Sequence, residues 1–284
     1  MSGPPREAPT PALAPKDLER FCEFLYRRTG MTFGESKRYY VDRRVAERMA
    51  ATSLTSFPAY FARLRSEPTE MEAVINAFTV NETYFYREEH QLRALSRDIL
   101  PEIAATKGPG ERIRIWSSPC STGEEPYSIA IWLLENWQMV DAYNVEIVGS
   151  DIDTSALLEA RQGRYGERAL SRMPKAVADL YFEPVNAGAR QIIEDLRESI
   201  HFSPANLVDA SSMAAAGRFE IIFCRNVLIY FDDAARRTAA EHLYAALQPG
   251  GFLCLGHSES MARIDDRFEV RRFSDAVVYQ RPAE

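Results

Sequence analysis

The stretch Arg112–Ala130, RIRIWSSPCSTGEEPYSIA, constrains the fold of this chain more than any other. Arg112–Trp116 has the pattern of a short strand, with Ile113, Ile115 and Trp116 apolar and the arginines at polar edges. Ser117–Gly123 is small and polar, as a turn requires. Glu124, Glu125 and Pro126 then read as the first turn of a helix. A proline there gives up no bond the helix needs, and acids complement its positive end. Tyr127–Trp137 supplies the apolar face. A strand, a tight turn containing Gly123 and a helix make the opening unit of an α/β nucleotide-binding domain. The unit holds neither G-x-G-x-x-G nor G-x-x-x-x-G-K-S/T, and its glutamates crowd the place where a phosphate wants bare amide donors. NAD and ATP are therefore disfavoured, and a cationic or phosphate-free nucleoside ligand suits the acids better. The glutamates would serve equally well as plain helix caps.

A chain of 284 residues, 46% of them apolar, can fill one large domain or a medium one with a smaller partner. Its net charge of −7 argues against nucleic acid as a general partner. Cys22, Cys120, Cys224 and Cys254 show no metal-ligand spacing and have apolar neighbours, which predicts buried free thiols, no metal and a reducing compartment. With no apolar leader and no run of transmembrane length, the expectation is a cytoplasmic protein without membrane insertion. A monomer is the default.

Residues 1–14 carry four prolines among small residues and are expected to be a flexible tail. Four short amphipathic helices follow: one from Pro15 to a stop at Gly30, one over Ser36–Ala50, one behind Ser56 and Pro58, and one over Thr69–Ala77. They predict a small helical domain over residues 15–80. Between Arg27 and Arg48 that domain holds seven bases and three acids. Arg38, Arg43, Arg44 and Arg48 fall at spacings that can share a helix face. Such a face is either simply solvated or docks an acidic macromolecule.

Thr79–Arg87, TVNETYFYR, joins polar Asn81, Glu82 and Thr83 to an aromatic cluster and a base, a composition suited either to a ligand cleft or to a packed linker helix. Glu88–Ile103 reads as a long helix. Val145–Gly149 is a second buried strand, ending in Ser150-Asp151-Ile152-Asp153. An acid at Asp151 can accept both hydroxyls of a ribose, while Asp153 caps the next helix. Residues 163–200 break the alternation and predict an inserted subdomain of short antiparallel strands with a helix over Pro174–Tyr181. Ile200–Phe202 is a brief strand leading to Asn206 and Leu207. Phe219–Tyr230, FEIIFCRNVLIY, is a fully buried strand with polar side chains at its carboxyl end, where α/β sheets place ligands. Asp232 and Asp233 cap a helix closed by Pro249-Gly250-Gly251, Phe252–Leu255 is a strand ending at His257, and Phe268–Arg272 with Ala276–Gln280 form a terminal hairpin. His257 has no nucleophile beside it in sequence and is read as a pocket-wall residue.

Five of these stretches resemble the bacterial chemotaxis receptor methyltransferases. They are Asn81-Glu82-Thr83-Tyr84-Phe85-Tyr86-Arg87, Ser121-Thr122-Gly123-Glu124-Glu125-Pro126-Tyr127-Ser128, Ser150-Asp151-Ile152-Asp153, Cys224-Arg225-Asn226-Val227-Leu228-Ile229-Tyr230-Phe231 and Gly256-His257-Ser258-Glu259. Tyr86 is the one departure, since the family usually has phenylalanine there. The resemblance implies an α/β, Rossmann-like methyltransferase domain over residues 81–284, a receptor-docking helical domain before it and a β-subdomain within it. It implies S-adenosylmethionine as cofactor, S-adenosylhomocysteine as product, and methyl transfer to glutamate carboxylates of chemoreceptors. Its cofactor contacts fall on Asn81, Thr83, Arg87, Glu125, Asp151, Asn206, Leu207, Asn226 and Val227, with Arg87 and Tyr230 nearest the transfer. Some members also hold a receptor C-terminal peptide on the β-subdomain, using a longer, glycine-rich loop. The matching stretch here, Glu183–Arg190, is compact, and independence of that tether is expected.

Overall fold

The computed structural model describes residues 12–186 and 188–283, and the chain divides into two compact units at Thr79/Val80. The first unit is helical: α1 (Pro15–Thr29), α2 (Arg38–Ala51), α3 (Phe57–Ser66) and α4 (Pro68–Phe78). Helices α1, α3 and α4 each carry a proline in the first turn, where its missing N–H costs nothing. Gly30 ends α1 with a φ of 71°, its N–H returning to the Tyr26 carbonyl. The core is aromatic: Phe21 lies 5.3 Å from Phe78, and Phe24 meets Phe61 edge-on at 5.2 Å.

Two expectations about this unit change. Residues 1–11 of the predicted tail lie outside the described residues, but its end is packed. Leu13 is buried, its N–H donates to Asp42 Oδ1 at 3.0 Å, and its carbonyl accepts from Arg38 at 2.7 Å. The basic helix α2 is also less available than its charge suggests. Arg48 donates twice to the buried Glu70, at 3.1 and 2.6 Å, and the Tyr60 hydroxyl donates to the same carboxylate at 3.0 Å. Arg38, bound to Leu13, also lies 3.4 Å from Asp42. Arg43 and Arg44 share Glu47 and keep 55% and 34% of their side chains exposed. Of the four arginines, Arg38 and Arg48 thus face the buried carboxylates of Asp42 and Glu70, and a guanidinium neutralised in that way has little field left for a partner.

In the second unit, α5 (Glu89–Ala94), a π-helical stretch over Leu95–Ile99 and α6 (Leu100–Ala104) replace the regular helix expected over Glu88–Ile103. Pro101 is the reason. It has no N–H for the Arg97 carbonyl and its ring crowds that oxygen, so the coil widens and Leu100 N–H bonds to Leu95. The α/β alternation follows: β1 (Arg112–Ser117), α7 (Glu124–Asn136), β2 (Asn144–Asp151) and α8 (Thr154–Gln162). Next come β3 (Arg164–Gly166), α9 (Glu167–Leu170), α10 (Lys175–Tyr181), β4 (Phe182–Asn186) and β5 (Ala189–Ile192). The chain ends with α11 (Glu194–Ser199), β6 (Ile200–Pro204), α12 (Ala210–Ala216), β7 (Phe219–Cys224), α13 (Asp233–Ala246), β8 (Leu247–Leu255), β9 (Glu269–Arg272) and β10 (Val277–Gln280).

Seven strands make one sheet in the order β6-β2-β1-β7-β8-β10-β9. The first five are parallel, and β10 runs antiparallel to both its neighbours. Strands β3, β5 and β4 form the separate antiparallel sheet of the inserted subdomain. Strand β8 begins at Leu247 and takes in Pro249-Gly250-Gly251, so it is longer than the Phe252–Leu255 that the sequence pattern predicts. A slip in the β7–β8 register between Phe219 and Ile221 absorbs the extra residues.

Removing the carboxylate of Glu70 leaves Arg48 unpaired against the core, so Glu70→Ala is expected to cost the helical unit about 2–4 kcal/mol. Trp116, Trp132 and Trp137 all lie in the second unit. Helical ellipticity should therefore be lost at lower urea than tryptophan fluorescence. Wild-type midpoints by both probes would refute the pair's structural role.

Candidate active site

Strands β6, β2, β1 and β7 are successive parallel neighbours, so their carboxyl ends share one sheet edge. The winding reverses between β1 and β7, the place where open α/β sheets leave a crevice. Onto this edge come the loop Ser117–Gly123 after β1, Asp151 at the end of β2, Asn206 and Leu207 after β6, and Asn226, Val227 and Tyr230 after β7. The β1 loop is stitched to both neighbours: Ser118 N–H donates to the Phe223 carbonyl at 2.9 Å and Cys120 N–H to the Ser150 carbonyl at 2.8 Å. Gly123 then starts α7 at a φ of 93°, and a Cβ there would meet the Ala160 Cβ at 2.9 Å.

The segment 81–88 runs into the same place. Asn81 Nδ2 donates to Asp153 Oδ2 at 2.7 Å, and its Oδ1 accepts from the Ser121 hydroxyl at 2.9 Å. Thr83 is half-buried. Tyr86 N–H donates to Ser128 Oγ at 3.0 Å, and its buried ring meets Trp132 edge-on at 5.5 Å, so the tyrosine packs as a phenylalanine would. Arg87 reaches back to the Glu82 carbonyl at 2.7 Å and lies 5.7 Å from the Tyr84 ring centre.

Arg225 ties these pieces together. It is 7% exposed, its Nη2 donates to the Arg87 carbonyl at 2.8 Å, and its Nε lies 3.0 Å from Glu125 Oε2. That last approach is not aligned as a hydrogen bond, so the attraction is ionic. Glu125 Oε1 accepts from the Ser117 hydroxyl at 2.7 Å. Neither glutamate of the pair caps α7: Glu124 accepts from the Thr122 hydroxyl at 2.7 Å, and the N-cap Gly123 has no side chain to offer. Burial pushes both carboxyls up, with Arg225 pulling Glu125 back. Glu88 goes the other way. Burial opposes its ionisation, but Arg225 and His257 outweigh that and hold it below the usual carboxylate range. His257 Nδ1 lies 3.0 Å from Glu88 Oε1, and the ring lines a cavity of about 380 Å³.

Two further carboxylates hold backbone. Asp153 caps α8 through Ser155 and Ala156 N–H at 2.9 and 3.0 Å, as expected. Asp151 accepts from Ser121 N–H at 2.7 Å and from Asp153 N–H at 2.9 Å. Its burial raises the pKa to about 6, against the pull of those amides. Glu259 accepts from four amides, those of Asn226, Val227, Leu228 and Gly256, at 2.7–2.9 Å. Gly256 is required there, since a Cβ would stand 2.7 Å from Asn226 Nδ2.

Residues 81–277 match the SAM-binding domain of the CheR methyltransferases, and residues 16–79 match their all-alpha domain. The chain belongs to the CheR methyltransferase family. It is 47% identical over 268 residues to chemotaxis protein methyltransferase 2 of Vibrio cholerae serotype O1, covering 94% of this chain and 93% of that one. It is 41% identical over 249 residues to chemotaxis protein methyltransferase 2 of Pseudomonas aeruginosa, covering 86% of each. Likeness to chemotaxis protein methyltransferase Cher2 of Pseudomonas putida is 31% over 271 residues, covering 93% of this chain and 97% of that one. The second unit is thus an S-adenosylmethionine-binding methyltransferase domain. Among the described residues no helix is long and apolar enough to cross a membrane, and no cluster of side chains is arranged to hold a metal ion.

Sequence reasoning passed over Arg225, Glu259, Ser128 and Glu88. Arg225 alone left a signal: a base directly after a strand of fully buried type needs an acid, and Glu125 was the acid in want of a purpose.

Asp151 yields a measurable consequence. Its folded pKa of about 6 stands above the ordinary 3.8, so the folded state holds the extra proton between those values. The contribution to stability is complete below the lower value and is lost as pH rises through the upper one. Raising pH from 5 to 7.5 should destabilise the wild type relative to Asp151→Asn by roughly 1–2 kcal/mol in urea titrations. Parallel pH profiles for the two proteins would show that Asp151 is not so perturbed.

Proposed function

We propose that this methyltransferase esterifies glutamate side-chain carboxylates of chemoreceptors, giving glutamyl methyl esters in chemotactic adaptation. The observation that carries the reading is likeness to chemotaxis methyltransferases along nearly the whole chain, both units included. The site's chemistry fits the cofactor. Glutamates flank the start of α7 in place of an open phosphate cradle, and Asp151, each oxygen already holding one amide, keeps lone pairs for ribose hydroxyls.

Asn81, Thr83, Arg87, Glu125, Asp151, Asn206, Leu207, Asn226 and Val227 are the residues we assign to holding S-adenosylmethionine. When bound, it supplies an electrophilic methyl group. The acceptor carboxylate is already ionised near neutral pH, so no strong base is needed. What the chain must do is orient that carboxylate and strip water from it. Arg87 is the base suited to the first task, and the Tyr230 hydroxyl can donate to the same oxygen pair. Neither should hold the acceptor so tightly that it quenches it. Docking by the helical unit is assigned to the exposed Arg43 and the half-buried Arg44 beside it, whose acid, Glu47, is itself at the surface.

Incubation with methyl-labelled cofactor and chemoreceptor membranes tests the reading: label should enter the receptor and leave it in mild alkali. Alkali-resistant label would point to an N-methyl product and end the glutamate assignment. Arg87→Ala and Tyr230→Phe should each lower turnover by about 10²-fold or more while leaving the melting temperature intact. Full activity in both would remove them from the chemistry.

We also infer independence of a receptor C-terminal peptide. The β4–β5 connection is short, since β4 runs to Asn186 and β5 starts at Ala189, with Pro184 inside β4 and Ala187 outside the described residues. Titration of the full chain with receptor C-terminal pentapeptides is expected to give no saturable heat. Micromolar binding would reverse the inference.

A further inference from the structure

A second basic stretch lies inside the methyltransferase unit. Residues 161–175 hold Arg161, Arg164, Arg168, Arg172 and Lys175 against one acid, Glu167, in a chain of net charge −7. Two of these bases are spent locally: Arg161 donates to the Phe202 carbonyl at 2.7 Å and Lys175 to Asp179 at 2.7 Å. Arg168 and Arg172 are not. Arg168 has 93% of its side chain exposed, and among the described residues Arg172 has no ion-pair or hydrogen-bond partner.

Both arginines line a cleft of about 720 Å³, and the facing wall is Asn81, Glu82, Thr83 and Tyr84. Basic residues therefore share a cavity with two of the residues assigned to the cofactor. Their placement is firm. Phe85 N–H donates to the Ala169 carbonyl at 2.9 Å, and the Phe85 ring packs edge-on against Tyr165 and Phe182 at 4.8 and 5.1 Å. The Tyr165 hydroxyl donates to the Thr122 carbonyl at 2.8 Å, which ties the subdomain to the β1 loop. In the structure the Glu82 carboxylate stands 3.5 Å from Arg168 with 73% of its side chain exposed. So exposed an ion pair is screened by water and holds weakly, and an incoming carboxylate can replace it.

We propose that Arg168 and Arg172 seat acidic side chains of the acceptor polypeptide that flank the methylated glutamate. This rests on the glutamate-methyltransferase reading and adds to it a recognition site on the methyltransferase unit itself. Two cations in a cleft shared with Asn81 and Thr83 select an acceptor carrying more than one carboxylate, and they do so by attraction and register rather than by touching the reacting oxygen.

The test compares Arg168→Glu/Arg172→Glu with Arg237→Glu/Arg263→Glu, a pair of equal charge change that lines a different cavity. With chemoreceptor membranes and labelled S-adenosylmethionine, the first variant should raise the acceptor KM roughly tenfold. Its kcat and its calorimetric affinity for S-adenosylhomocysteine should stay within about twofold of wild type, since neither arginine is assigned to the chemistry or the cofactor. The wild-type KM should rise with salt, and less steeply so in the first variant. An unchanged KM, an equal rise in the control pair, or a parallel fall in cofactor-product affinity would each overturn the proposal. So would competition by RNA at concentrations that leave the acidic acceptor unbound. If wild type makes no alkali-labile ester, the functional reading fails by itself. Sedimentation with the same membranes then judges the cleft separately, since the first variant must cosediment less than the control pair.

Discussion

Arg225 is a full positive charge withdrawn from water at the point where three segments meet. Such a charge costs several kcal/mol to bury unless carboxylates and carbonyls surround it. Here the start of α7 brings Glu125, the segment 81–88 brings the Arg87 carbonyl and the field of Glu88, and the end of β7 brings the arginine itself. None of the three can move without stranding the cation. The pair also changes how acidic the site is. Glu125 is compensated internally, whereas Asp151 is a buried carboxylate whose hydrogen bonds come from backbone amides.

The remaining acids of the site follow one logic. Where a parallel strand opens into a loop, its amides lose their ladder partners, and a carboxylate takes their place. Glu259 does this for four amides after β7 and β8, Asp151 for two at the end of β2, and Asp153 for the first turn of α8. Charge-assisted bonds of this kind are about twice as strong as neutral ones. Acids that read as a ligand-binding field in the sequence are, in large part, the scaffold that shapes the cleft.

This marks where the sequence was legible. Periodicity and turn chemistry located β1, α7, β2, β7 and the four helices of the first unit, because each carries its own apolar pattern, and α1, α3 and α4 a first-turn proline as well. The capping of α8 by Asp153 was also readable, since a cap two residues past a strand end is a local signal. What was not legible is pairing at long range. Nothing near Arg48 in sequence announces Glu70, and nothing near Asn226 announces that its amide is held by Glu259. For the same reason the basic stretch of α2 looked like one surface. Half of its arginines face carboxylates or carbonyls whose positions only the fold decides. Pro101 is an intermediate case: the residue is visible, but the widening of the coil that accommodates it depends on the packing around α5 and α6.

The backbone shows what this scaffolding is for. Among the described residues, five that are not glycine adopt a left-handed φ, and four of them, Tyr86, Glu88, Ser121 and Asn226, lie in the segments that build the site. Each such residue costs of order 1 kcal/mol, more for a bulky ring such as Tyr86. In three of the four, the strained residue's own N–H is held by a side-chain oxygen: Tyr86 by Ser128, Ser121 by Asp151, and Asn226 by Glu259. The strain therefore persists because specific acceptors over-determine it. A methyl transfer, which needs its acceptor aimed along one line, gains most from rigid walls. Left-handed turns locked by side-chain oxygens are how this chain makes walls out of loops.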